Sequence, residues 1–112
     1  MNIQEFARTI DPKNTILFLG AGTSIPSGAP SGHDLMRFLE SELHQGKHVS
    51  NDYTECCQAL EELYGRRSLI DAIKKRLTPL TPTGGLKALP SVDWNAIYTT
   101  NFDMLVERAY QN

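Results

Sequence analysis

"ILFLGAGTSIPSGAPSG", Ile16 to Gly32, decides the fold class. It opens as a continuous apolar run of strand length and then loses every large polar side chain. From Gly20 to Gly32 there are four glycines, three serines, two prolines and two alanines, with no charge. An unbroken apolar run suits a strand buried on both faces, as in a parallel sheet covered by helices. Glycine at the exit of such a strand lets the main chain turn and lets a ligand touch it, and a helix that follows offers free N–H groups to an anion. The plainer reading is a surface loop of turn-forming residues.

The spacing excludes two common phosphate binders. The triphosphate loop needs a lysine after its last glycine, and the first lysine beyond this loop is Lys47. The dinucleotide fingerprint Gly-x-Gly-x-x-Gly starts with Gly20 and Gly22 but meets Ile25 where the third glycine belongs.

Working outward, residues 2–10 predict a short helix, with Ile3, Phe6, Ala7 and Ile10 as its apolar stripe. A second helix is expected from His33, with Ser31 and Asp34 at capping-box spacing and Leu35, Met36, Leu39 and Leu43 inward. Residues 52–64 and 67–77 continue at helical period, separated by Gly65 as a C-cap. "TPLTPTGG" breaks the pattern, and "LKAL" gives a short helical piece. "NAIYTT" is a second strand, and "FDMLVERAY" starts another helix with Leu105, Val106 and Ala109 inward. Strands separated by helices define an α/β layer with parallel pairing. The expected fold is α/β, part of a Rossmann-like doubly wound parallel sheet with a helical insertion between its first two strands. Two strands alone do not bury such a sheet, so the chain reads as the front of a larger domain.

The totals narrow the function. With 112 residues there is one small core. A net charge of -2 gives no global attraction to nucleic acid. No apolar stretch approaches the ~20 residues of a membrane span, and "MNIQEFARTI" lacks the apolar centre of a secretion signal; a cytoplasmic location follows by default. Cys56 and Cys57 are adjacent and match no zinc or redox spacing, so both are read as packed helix residues. "RRSLIDAIKKR" holds five of the eleven basic residues and reads as the wet face of an amphipathic helix rather than a nucleic-acid patch.

"IYTTNFD" places Thr99, Thr100, Asn101 and Asp103 where the second strand runs out. Ligands of open α/β sheets lie beyond the carboxyl ends of the strands, so Gly20–Ser24 and Thr100–Asp103 are expected at one rim. Asn101 has both a donor and an acceptor for a ribose hydroxyl or a held water; a helix cap is the alternative.

"GAGTS" at 20–24, "SGAP" at 27–30 and "TTNFD" at 99–103 together resemble the sirtuin family, and more closely its divergent NAD-cleaving branch in bacterial anti-phage systems. The first matches the family's Gly-Ala-Gly-x-Ser, and the last is similar to its Thr-Gln-Asn-Ile-Asp. The match covers both ends of the chain and leaves the middle free. It implies that residues 1–112 are the amino-terminal portion of one sirtuin-like NAD-binding domain, incomplete as it stands, with residues 33–90 as a helical insertion. It further implies NAD as substrate, held by Gly20, Ala21, Gly22, Thr23, Ser24, Thr100, Asn101 and Asp103. Asn101 lies beside the nicotinamide ribose as the catalytic residue, and Asp103 holds the nicotinamide amide.

Departures shape the expected activity. After Gly-Ala-Pro, protein-deacylating sirtuins carry Asp-Phe-Arg, whereas here Ser31, Gly32 and His33 follow. That favours hydrolysis of NAD over deacylation. The family's general-base histidine lies beyond the asparagine motif, and none of the nine residues after Asp103 is histidine. His33, His44 and His48 all precede the motif and are not substitutes, so the chain by itself is expected to be an inactive fragment. A module that senses NAD or ADP-ribose without cutting it is the competing reading. A homo-oligomer or a fused defence module is the expected assembly.

Overall fold

The computed structural model describes residues 1–111. In chain order the elements are α1 (Ile3–Thr9), β1 (Ile16–Leu19), α2 (Gly32–Leu43), α3 (Tyr53–Tyr64), α4 (Arg66–Leu77), α5 (Gly84–Ala88), β2 (Ala96–Thr99) and α6 (Leu105–Ala109). The expected helices and both strands are present among these, but "FDMLVERAY" becomes helical only at Leu105. Short polar side chains set several starts by accepting backbone N–H groups that a first helical turn leaves free. Asn2 accepts from Glu5, Ser31 from Asp34 at 3.1 Å, and Asp52 from Glu55 at 2.9 Å. Gly65, at φ 92°, divides α3 from α4.

β1 and β2 pair in parallel, with Ile16 opposite Ala96 and Leu19 opposite Thr99. The result is an α/β fold with a two-stranded parallel sheet. Its cores are two. Leu35, Met36 and Leu39 of α2 pack with Cys56 and Leu60 of α3 and Leu69 and Ala72 of α4, joining three helices. Leu86, Leu89 and Leu105 pack under the sheet against Leu17, Leu19 and Ile97.

One expectation about burial is corrected. The apolar run of β1 is not covered on both faces: Leu17 and Leu19 face the second core, while Phe18 is 70% exposed and Ile16 lies on the same bare side. Tyr98, opposite Phe18, is exposed with them. The stripe of α1 is also bare, with Ile3 and Phe6 exposed and no residue of that helix buried. The physical reason is that helices α2–α4 satisfy their apolar faces on one another and place no layer on this side of the sheet.

One charged side chain lies within the helical core. Glu40 is 2% exposed and accepts from the Val49 N–H at 2.6 Å and from Arg37 at 3.0 Å, with His48 Nδ1 3.4 Å away. Burial pushes its carboxyl up, but the Val49 N–H, the Arg37 guanidinium and the His48 ring together outweigh that and leave it below the ordinary value of 4.5. The clamp ties the loop after α2 back onto its helix. The two cysteines sit on α3 as read, Cys56 buried and Cys57 partly so. Burial raises both thiols, which makes them poor nucleophiles.

A carboxyl lowered by folding stabilises the fold above its unfolded value, and that contribution is lost as pH falls through the folded one. The thermal midpoint, followed by circular dichroism, therefore drops between about pH 5 and pH 3 in the wild type. Glu40→Gln shows a shallower drop over that window. Glu40→Ala, which strands the Val49 N–H, costs about 1–3 kcal/mol at neutral pH.

Candidate functional site

The parallel register sets the site. Because Leu19 lies opposite Thr99, the two chains leave the sheet side by side, and Gly20 and Thr100 are neighbours at its carboxyl rim. The glycine-rich segment does not run free from there. It forms 3-10 turns at Ala21–Thr23 and Ile25–Ser27, which the sequence did not suggest. Thr23 and Ser24 N–H donate to the carbonyls of Gly20 and Ala21, each at 3.1 Å. The N–H groups of Ala21 and Gly22 open the first turn and stand outside its own bonds.

Asn101 joins the two segments. Its Nδ2 donates to the Gly20 carbonyl at 3.0 Å and to Ser24 Oγ at 3.1 Å. The Thr23 hydroxyl donates to the same carbonyl at 2.7 Å, so Gly20 O receives three donors. Only an amide nitrogen serves those two contacts, and this fixes the carboxamide's orientation. Its Oδ1 faces away from both. The helix-cap alternative for Asn101 is thereby corrected: α6 begins after Met104 with no side-chain cap, and Asp103 Oδ1 accepts from the Leu105 N–H at 3.1 Å in a local turn.

These residues wall a cavity of about 200 Å³. Of the residues singled out in the sequence, Ala21, Ser24, Thr100, Asn101 and Asp103 line it. Gly20 and Thr23 act from behind, through the bonds just described. A Cβ added at Gly20 or Gly22 would meet nothing within 4 Å, and neither has a positive φ. Packing and backbone geometry therefore do not demand glycine at either position. The open space over the main chain is what a closely approaching ligand requires. Gly28 differs, since its φ of +94° is one that side-chain-bearing residues avoid.

The loop is braced from the far side. Arg76 of α4 donates to the Gly28 carbonyl at 3.0 Å, and Thr83 bonds both Ser27 and the Pro26 carbonyl. Arg108 of α6 donates to the carbonyls of Thr78 and Leu80, so one linker holds the loop and the helix after β2 together.

The end of the small-residue loop, Ala29 to Gly32, also lines the cavity, and sequence reasoning missed four larger side chains of its wall: Leu35 of α2, Tyr53 of α3, Leu77 of α4 and Phe102. Leu35 and Leu77 carry only the signature of helix core, so nothing local marks them. Tyr53 is partly buried, and burial followed by its contact with Cys57 raises its phenol well above the ordinary value. It is a neutral group at physiological pH. No histidine is among the lining residues. His44 contacts Tyr64, His48 sits on Arg37 and Glu40, and His33 is exposed. The basic residues of α4 are partly paired, Arg66 with Glu61 and Lys75 with Glu42. Among the described residues no cluster of metal-ligating side chains occurs, and no helix is long and apolar enough to cross a membrane.

The sequence is similar to the NAD(+) hydrolase ThsA of Acinetobacter baumannii (strain 532279), at 29% identity over 112 residues. The alignment takes in 98% of this chain and 23% of that protein, so the chain spans less than a quarter of the relative's length. No protein-family model matches, and no solved structure matches significantly. The similarity supports a relation to that NAD hydrolase.

Removing the Asn101 carboxamide deprives buried Ser24 of its donor. Asn101→Ala is expected to cost about 1–2 kcal/mol in chemical denaturation. Asn101→Asp sets a carboxylate against the Gly20 carbonyl and costs more. The reverse order would show that the tie contributes little.

Proposed function

We propose that the chain belongs to a sirtuin-like NAD-binding domain that cleaves the nicotinamide–ribose bond. The observation that carries this reading is the convergence of the Gly20–Ser24 turn and Asn101 on one cavity, fixed by the Asn101 carboxamide. The relation to an NAD hydrolase supports it from an independent direction. NAD is the substrate. Its pyrophosphate lies over the open main chain at Ala21 and Gly22, its nicotinamide end enters the cavity, and the adjoining ribose lies against Asn101.

In hydrolysis, water adds to the anomeric carbon and the bond to the ring nitrogen breaks, with the electron pair leaving on neutral nicotinamide. The products are ADP-ribose, nicotinamide and a proton. The transition state places positive charge on the ribose, so the protein's contribution is orientation and electrostatic support. Asn101 Oδ1, the carboxamide atom not used on Gly20 or Ser24, is the acceptor that holds a ribose hydroxyl or the attacking water. The Asp103 carboxylate lies in the same wall and favours developing positive charge.

The same reading accounts for the uncovered apolar surface. A Rossmann-like doubly wound sheet carries further strands and a second helical layer, and the bare side of Ile16, Phe18 and Tyr98 is where that layer would pack. In this proposal residues 1–112 form the first portion of the domain and residues 33–90 a helical insertion in it. Anti-phage defence is the setting that the resemblance to the NAD-cleaving branch suggests.

Gly22→Ala separates folding from binding. With nothing near its Cβ, stability should stay within about 0.5 kcal/mol of wild type, while NAD affinity by calorimetry falls at least about tenfold. Unchanged affinity would remove the dinucleotide from this loop. Tight NAD binding with no nicotinamide release, followed by chromatography, would instead support the sensing module.

A further inference from the structure

The loop between α2 and α3, residues 44–52, is built on one residue. The Glu40 carbonyl accepts the N–H groups of His44 at 2.8 Å and Gly46 at 3.0 Å, and its buried carboxylate accepts the Val49 N–H at 2.6 Å. Between those points Gln45 and Gly46 turn left-handed, at φ 55° and 77°. For Gln45 that is a conformation side-chain-bearing residues rarely adopt, so the loop is held in place by its bonds. It runs through His48 into Tyr53, the α3 residue on the cavity wall. His48 stands between partners of opposite charge. Its Nδ1 is 2.9 Å from Arg37 Nη1 and 3.4 Å from Glu40 Oε2, and the same Nη1 donates to Glu40 Oε1 at 3.0 Å.

A guanidinium has hydrogens to give and no lone pair to accept with. The 2.9 Å contact therefore requires a bare Nδ1, which puts the neutral ring's proton on Nε2. A proton added at Nδ1 removes that acceptor and sets two cations against each other, leaving the Glu40 carboxylate as the partner of the new N–H. We propose that His48 is a proton-operated selector on this loop: neutral, it is held by Arg37; protonated at Nδ1, it leaves Arg37 and closes on Glu40 Oε2. The closure needs about half an ångström to reach the length of a charge-assisted bond. Arg37 keeps its bond to Oε1, so both states stay anchored on Glu40. Glu40 is ionised in both: burial raises its carboxyl, but its donors outweigh that. The other groups nearby do not duplicate the role. His44 meets the Tyr64 hydroxyl, which donates or accepts and so serves either state of that ring. α3 presents the Cys56 thiol, which burial and then Glu40 keep raised and uncharged. Its Asp52 and Glu55 are taken by the Glu55 N–H and by Ser50. α4 turns Lys75 to Glu42, and Lys47 is exposed beside His48.

The test is NMR of the wild-type protein between about pH 8 and pH 5, the range in which imidazoles titrate. Long-range proton–nitrogen spectra read the ring nitrogens directly. At the alkaline end His48 is expected as the Nε2–H tautomer, and acidification carries the Val49 amide through a transition that coincides with protonation of that ring. His48→Gln abolishes the Val49 transition, whereas His44→Gln leaves it in place; neither ring is buried, so folding is not at stake. Arg37→Met shifts the neutral ring toward the Nδ1–H form. A wild-type neutral ring protonated at Nδ1 overturns the inference, and that measurement needs no variant. So does a Val49 amide that stays fixed while His48 protonates, or one that moves as far in His48→Gln.

Discussion

The site depends on one side chain spanning two distant parts of the chain. Asn101 and Gly20 are separated by 81 positions, and parallel pairing of two four-residue strands brings them together. Once adjacent, the carboxamide locks them. The Gly20 carbonyl is saturated by three donors, Ser24 is drawn into a buried position, and the amide oxygen is left pointing elsewhere. A neutral hydrogen bond adds only about 0.5–1.5 kcal/mol, but leaving buried groups such as these unpaired costs more. That asymmetry makes the arrangement specific: other side chains of similar size do not supply two donors and one outward acceptor.

The two cores have different tasks around this lock. The core under the sheet fixes the strands and α6, and so fixes the rim from which both loops leave. The three-helix core has little to do with the sheet, yet it delivers Leu35, Tyr53 and Leu77 to the opposite side of the cavity. Between them the linker after α4 acts as a strap, bonded to the glycine-rich loop through Thr83 and to α6 through Arg108, while Arg76 of α4 bonds the same loop. A loop of small residues would be mobile if left alone. Bonded at Gly20, Ser24, Pro26, Ser27 and Gly28, it is pre-organised, which lowers the ordering cost a ligand must meet.

Charge and exposure divide the surface into regions of different chemistry. The cavity has one acidic residue, Asp103, and two aromatic ones, Tyr53 and Phe102, among small and aliphatic neighbours; the open turn beside it presents main chain without side-chain bulk, and the basic residues gather on α4 where acidic neighbours partly pair them. The bare sheet face is of another kind. Ile16, Phe18 and Tyr98 on the strands are large apolar side chains in water, a pattern that marks an interaction surface rather than a finished exterior.

How much was legible in the sequence follows from the range of the interactions involved. Helix periodicity, the caps at Ser31 and Gly65, the two strands and the placing of "GAGTS" and "TTNFD" at strand ends are all local, set by neighbours within a few positions. They also sufficed to order the fold as α/β. The two-sided burial of β1 was misread because apolar composition reports what a segment prefers, not what lies against it. Tyr53 was invisible as a cavity residue, since an aromatic at helical spacing looks the same whether it meets core or ligand space. Which segments turn, stop and stay polar was written in local residue order; which of them meet came from packing and strand register. The register of one strand pair governs the encounter of Gly20 with Asn101, and the packing of three helices carries Tyr53 to the same place.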